Sequence, residues 1–278
     1  MAKRRRPQDE ESVAATVFHS TELLQCIFRF QFGIYEAMFP FRRFRNVDAR
    51  NFSLDPVEYV RLNRVLTPWY ARYKLSQLDV VVQTMPYMRI LVFLHAIFTG
   101  QVSILKLLHR RIQAIHIVDV AKYTGRDPRP IEVYWTTILD LAASRGHLEV
   151  VRFLHSRGFR GCSNQAMNHA AKNGHLEVVK FLHDNRQEGC TRLAMDLAAS
   201  NGHLEVVQWL HANRSEGCSS WALNFAARHG HLEIVKFLVR HRTEGLIEWA
   251  ISHANGHPAI VKYLEAKIKE PSSSKATE

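Results

Sequence analysis

The chain copies itself along its length, and this limits its fold more than any other feature. Gly-His pairs stand at Gly146-His147, Gly174-His175, Gly202-His203, Gly230-His231 and Gly256-His257; the first three intervals are 28 residues and the last is 26. Around them run LAASRGHLEVVRFLH, HAAKNGHLEVVKFLH, LAASNGHLEVVQWLH and FAARHGHLEIVKFLV. A period of this length points to one short supersecondary unit stacked on copies of itself.

Each copy reads as two short helices. In the third clear copy, Ala194 to Ser200 is rich in alanine, leucine and methionine, which favour helix. Gly202 follows, where a chain leaving a helix commonly takes the left-handed conformation. Leu204, Val207 and Leu210 then recur every three residues as a second apolar stripe, widened by Val206 and Trp209. Glu205 falls in the first turn of that helix, where a negative charge suits the helix dipole. Ala198 and Ala199 are small enough to let the first helix lie close to its neighbours. One unit alone leaves much apolar surface exposed, and stacking buries it.

The A-A-x-x-G-H-L-E-V-V pattern resembles the heart of the ankyrin repeat. With its recurring NR-x-EGC linkers it is similar to the shortened ankyrin repeats abundant in oomycete and other protist proteins. Clear matches cover about residues 136–266, and FLHAIFTGQVSILKLLH at 93–109 aligns as a weaker copy. That copy keeps Ala96, Gly100, Leu105 and Leu108 but carries Gln101 in place of the histidine. The resemblance implies an all-α, ankyrin-type helical solenoid. A usual unit has about 33 residues and opens its first helix with T-P-L-H. Here the aligned tetrapeptides are Thr137–Asp140, Gln165–Asn168, Leu193–Asp196 and Trp221–Asn224, so Asp or Asn takes the histidine position. The residues missing from each unit are expected to come from the projecting β-hairpin, leaving shortened or absent hairpins and tight polar linkers such as Asn185–Cys190.

The resemblance also implies which positions face a partner. Two of them precede each Gly-His: Ser144, Arg145, Lys172, Asn173, Ser200, Asn201, Arg228 and His229. Another precedes each tetrapeptide: Thr136, Asn164, Arg192 and Ser220. These positions vary between copies while their framework neighbours hardly change.

The expected organisation is a disordered terminus over 1–16, a helical capping region over 17–92, the repeat domain over 93–268 and a disordered tail over 269–278. The repeat domain carries an insertion at 112–136. Asp55-Pro56 reads as a helix start, with Pro68 and Pro86 as interruptions. In residues 17–45 the stretch TELLQCIFRF faintly resembles the opening of an F-box, a helical module that recruits a ubiquitin-ligase scaffold; a capping helix is the other reading. Lys3, Arg4, Arg5 and Arg6 have the look of a nuclear-localisation peptide, or form an ordinary solvated terminus.

Composition bounds the chemistry. The net charge is +11, but residues 1–135 hold 20 Lys+Arg against 12 Asp+Glu and residues 136–278 hold 17 against 14, so the basic bias belongs to the amino-terminal half. Acids follow the basic cluster where a signal peptide would place its apolar core, and the four cysteines fit a reducing, intracellular compartment, cytoplasmic or nuclear. Of the sixteen histidines, those at 147, 175, 203, 231 and 257 belong to the turns, and those at 155, 183 and 211 to one helical position. Equivalent positions in adjacent units lie about 10 Å apart, too far to converge on one metal ion. The same spacing keeps Cys162, Cys190 and Cys218 from pairing. No phosphate-binding, nucleophile-elbow or zinc-protease motif is present. The expectation is a monomeric, cofactor-free, non-enzymatic scaffold that binds another protein through the concave face of its stack. The alternatives are a substrate adaptor for a ubiquitin ligase and a nucleic-acid-associated protein using the basic amino-terminal half.

Overall fold

The computed structural model of the protein describes residues 36–45, 56–73, 75–112, 132–159 and 162–269. The basic peptide Lys3–Arg6, the TELLQCIFRF stretch, residues 113–131 of the insertion and the tail beyond 269 lie outside the described residues. Among those described there are fourteen α-helices, two short 3-10 helices and no strand. In chain order the α-helices are α1 (Pro56–Tyr73), α2 (Leu78–Thr84), α3 (Pro86–Thr99), α4 (Val102–Ile112), α5 (Glu132–Ser144), α6 (Leu148–Ser156) and α7 (Asn164–Lys172). They continue with α8 (Leu176–Asn185), α9 (Arg192–Ser200), α10 (Leu204–Asn213), α11 (Ser220–Arg228), α12 (Leu232–His241), α13 (Ile247–His253) and α14 (Pro258–Lys269). The chain forms two compact units that divide after Val92, inside α3.

The first unit is a small helical cluster. Tyr59, Leu62, Leu66 and Trp69 form the buried stripe of α1, spaced as an amphipathic helix requires. Trp69 packs edge-on against Phe41, from the 3-10 helix Glu36–Phe44, with ring centroids 5.4 Å apart. The sequence marks Pro68 as an interruption, yet α1 continues through it to Tyr73. A proline inside a helix removes one backbone bond, and burial of Leu66 and Trp69 on either side of Pro68 holds the helix together there. Pro86 does mark a break: α2 ends at Thr84, and α3 begins at Pro86.

The second unit is a stack of helix pairs. Residues 93–99 of α3 pair with α4, and α5–α6, α7–α8, α9–α10, α11–α12 and α13–α14 follow. Within α5–α6 the helix closes with a Schellman turn: Gly146 N–H bonds Ala143 O at 3.1 Å and His147 N–H bonds Ala142 O at 3.2 Å. Ala142, Ala143, Ala170, Ala171, Ala198, Ala199, Ala226 and Ala227 are fully buried. With no side chain beyond Cβ they let successive first helices pack closely, while the second helices touch more sparsely. The second helices bury Val206, Val207 and Leu210 and their counterparts. Leu204 is only half-buried, a correction to the stripe read from the sequence, where Val206 takes its core position.

Candidate functional site

Much of what recurs in the sequence is occupied by the joints between units. Each Gly-His histidine reaches back to the preceding unit. His147 Nε2 bonds Phe98 O at 2.9 Å, His231 Nε2 bonds Ser200 O at 3.1 Å and His257 Nε2 bonds Arg228 O at 3.1 Å. His175 likewise bonds the Ser144 backbone. The histidine begins the second helix without capping it through its side chain, because its ring lies over the glycine of the preceding turn. A Cβ on Gly174 would stand 2.6 Å from His203, and one on Gly202 would stand 2.8 Å from His231.

The tetrapeptide acids and amides form a second joint. Asp140 accepts from Ser163 N–H at 2.9 Å and from Ser163 Oγ at 2.7 Å, and Asp196 accepts from Ser219 N–H and Oγ at 2.8 and 2.7 Å. Asn168 accepts from Thr191 N–H at 3.0 Å and donates to Thr191 Oγ1 at 3.0 Å. Ser163, Thr191 and Ser219 in turn cap the next first helix. At Asn224 this joint is missing: Oδ1 is buried and unbonded, and Leu246, which has no side-chain oxygen, stands at the next cap.

The linkers and outer helices are also occupied. Arg186–Glu188, Arg214–Glu216 and Arg242–Glu244 are ion pairs, and each arginine also bonds the thiol of the preceding linker, Cys162, Cys190 or Cys218. Burial pushes these thiols up, Cys162 to about 12 and Cys190 and Cys218 to about 11, so they stay protonated and poorly nucleophilic. His155, His183 and His211 set their rings edge-on against Phe181, Trp209 and Phe237 of the following unit, at 5.2 to 5.6 Å.

The side of the first helices turned away from the second helices is what this framework leaves to solvent. Of the positions singled out in the sequence, Arg145, Lys172, Asn173, Arg192, Asn201, Arg228 and His229 are exposed. Ser144, Asn164, Ser200 and Ser220 are half-buried. Thr136 lies in α5, with its side chain outside the described residues. Several exposed ones have work inside the stack. Asn173 Nδ2 bonds Ser144 O, Asn201 Nδ2 bonds Lys172 O, both at 2.7 Å, and His229 Nδ1 bonds Ser200 O at 2.8 Å. The Arg145 guanidinium lies 3.7 Å from the centre of the Phe98 ring.

The sequence reading missed the positions beside these. Gln165, Leu193 and Trp221 open successive tetrapeptides and are all exposed, Leu193 at 42 % and Trp221 at 58 %. One helical turn on, His169, Leu197 and Phe225 are half-buried. On α11, Trp221 meets Phe225 edge-on at 5.5 Å and Phe225 stacks on His229 at 6.2 Å. The available signal was a tryptophan at a position where other copies carry threonine, glutamine or leucine.

Lys172, Arg192 and Arg228 form no ion pair among the described residues. On the second helices, by contrast, Glu149 pairs Arg152 at 3.8 Å, and Glu177 and Glu233 pair Lys180 and Lys236 at 2.7 Å. No helix of the described residues is long and apolar enough to cross a membrane.

No curated protein matches the chain. A family model described as ankyrin repeats (3 copies) matches residues 92–193, 139–220 and 195–273, placements that together run from the weak first copy to the last helix. That match covers well over half the chain and the same helix pairs that the Gly-His turns join, and the chain belongs to the ankyrin repeat family.

Proposed function

We propose that this chain captures another protein on the first-helix face of α7, α9 and α11. Ankyrin repeats are in general protein–protein interaction modules and typically not enzymes. The observation that carries the reading is the column on α9 and α11 of exposed Leu193 and Trp221 with half-buried Leu197 and Phe225, apolar side chains at the surface of adjacent first helices. Tryptophan and arginine are the residues most often found to anchor interfaces, and this face holds both. The cations Lys172, Arg192 and Arg228 stand at the ends of the same helices; Arg145 is held over Phe98 and contributes less.

Affinity capture from the native cell, with partners identified by mass spectrometry, tests the proposal. Reversing Lys172, Arg192 and Arg228 to glutamate is expected to leave the melting temperature near the parent value, since exposed charges seldom contribute more than about 1 kcal/mol, and to remove the captured partner. Changing Glu149, Glu177, Glu205 and Glu233 to glutamine, on the second helices, is expected to retain it. The opposite pair of results sinks the proposal.

A further inference from the structure

Resting on that reading of the face, we infer that its partner is an acidic protein segment. Aromatic or long aliphatic side chains of that segment settle on Leu193, Leu197, Trp221 and Phe225, and its aspartates or glutamates on either side reach Lys172, Arg192 and Arg228.

The argument starts from where charge is balanced and where it is not. Along the linkers and second helices the cations described above stand beside a carboxylate. On the first-helix face Arg192 opens α9, while Lys172 and Arg228 close α7 and α11. A nine-residue helix is about 13 Å long, so positive charge lies at both ends of an apolar strip of about that width. Arg192 occupies the first turn of its helix, where the backbone dipole disfavours a cation, and it forms no ion pair among the described residues. Asp196, the acid one turn on, is buried and already accepts two bonds from Ser219. The strip therefore carries exposed cations without ion-pair partners around an apolar centre, and complementarity asks for carboxylates flanking apolar anchors.

The centre also grades along the stack, from Gln165 and His169 through Leu193 and Leu197 to Trp221 and Phe225. The strongest anchor is thus expected over α11, with charge contacts extending back to Lys172. Single-stranded nucleic acid would meet the same cations but needs free aromatic faces on which bases stack. Leu193 and Leu197 have none. Phe225 has His229 parallel to it at 10° and Trp221 against it at 81°. The face suits a protein segment better than a base.

The test uses the full chain, immobilised, against a phage-displayed library of random 15-residue peptides, followed by affinity measurements with the enriched peptides. The expected result is enrichment of sequences with aromatic or leucine anchors flanked by aspartate and glutamate. Their affinity is expected to fall at least tenfold in Arg192→Glu/Arg228→Glu and in Trp221→Ser, with melting temperatures unchanged, and to weaken as salt rises. Enriched peptides without an acidic bias overturn the inference. If those peptides still fail on Trp221→Ser, the binding face stands and only its proposed ligand chemistry falls. Acidic peptides indifferent to both variants overturn the inference and the face together. Failure to enrich any peptide overturns the inference, as does tighter binding of an oligouridine that the same variants abolish.

Discussion

Gly202 and Gly256 separate two roles that the Gly-His motif combines. Both hold positive φ, 84° and 85°, a conformation that disfavours any side chain by about 1–2 kcal/mol. A Cβ at Gly202 would also meet the His231 ring at 2.8 Å, whereas at Gly256 none of the described residues lies within 4 Å. Gly202→Ala is therefore expected to destabilise the chain measurably more than Gly256→Ala in urea unfolding, and equal effects would mean that the histidine seat contributes nothing. Asp196 allows a sharper test. Burial pushes its carboxyl above the ordinary range, against the bonds from Ser219 and the charge of Arg192. The folded chain thus binds that proton at higher pH than the unfolded chain, so the stability linked to it is full below the unfolded value of about 3.9 and declines as pH rises through the raised one. Asn168 shows that an amide fits the same joint by donating to a hydroxyl. Asp196→Asn is expected to melt at or above the parent temperature at neutral pH and to flatten the melting-temperature profile in the window just above pH 3.9; a lower, unflattened profile refutes this. The histidine recurrence was legible in sequence, but not its destination: Gly146 and His175 stand 29 positions apart and meet only once the units are stacked.

At the scale of the helix, small and large apolar residues divide the labour. First helices approach through alanines, and second helices fill the remaining space with valine, leucine and phenylalanine. Leu210, 1 % exposed, is a core residue, and Leu210→Ala is expected to destabilise by roughly 2–5 kcal/mol. Leu204→Ala should have a clearly smaller effect, because Leu204 is half-buried. Chemical denaturation of the two variants side by side decides the point, and a larger loss from Leu204 would invert the packing described. Sequence periodicity marked both as one stripe, since threefold spacing does not tell a side chain at the helix entrance from one facing the next unit. The weak copy was recognisable from Ala96 and Gly100. Its place in the stack became explicit only through His147, which reaches Phe98 O, and His109, which packs edge-on against Phe153 at 5.9 Å. Trp221 escaped the sequence reading because an apolar residue at a helix start, followed by the buried Ala222 and Leu223, is not told from core until burial is known.

Across the repeat domain, joints of the same few types recur, so its stability resembles a sum over units and their interfaces. Removing residues 176–203 deletes one period and brings Leu204 directly after His175. Asn168 then faces Ser219 in place of Thr191, and the Gly-His seats stay in register. That deletion is expected to give a shorter helical protein with a single cooperative melt at somewhat lower temperature. Deleting 24 residues from the same point should abolish the melt, because histidine, glycine and cap no longer coincide. Circular dichroism distinguishes the outcomes, and equal behaviour of the two deletions would show that the period is not what joins the units.

The way each Gly-His seat is completed by the following copy has a further consequence for how such a protein can change over generations. Every joint pairs a residue of one copy with a residue of the next, so a gene segment duplicated in tandem encodes its own fitting neighbour. A conventional core would require several new complementary residues before an added segment became useful. Here the length of the exposed face and the identity of its side chains vary separately, the first by copying whole units and the second by point substitution at positions such as 193 and 221.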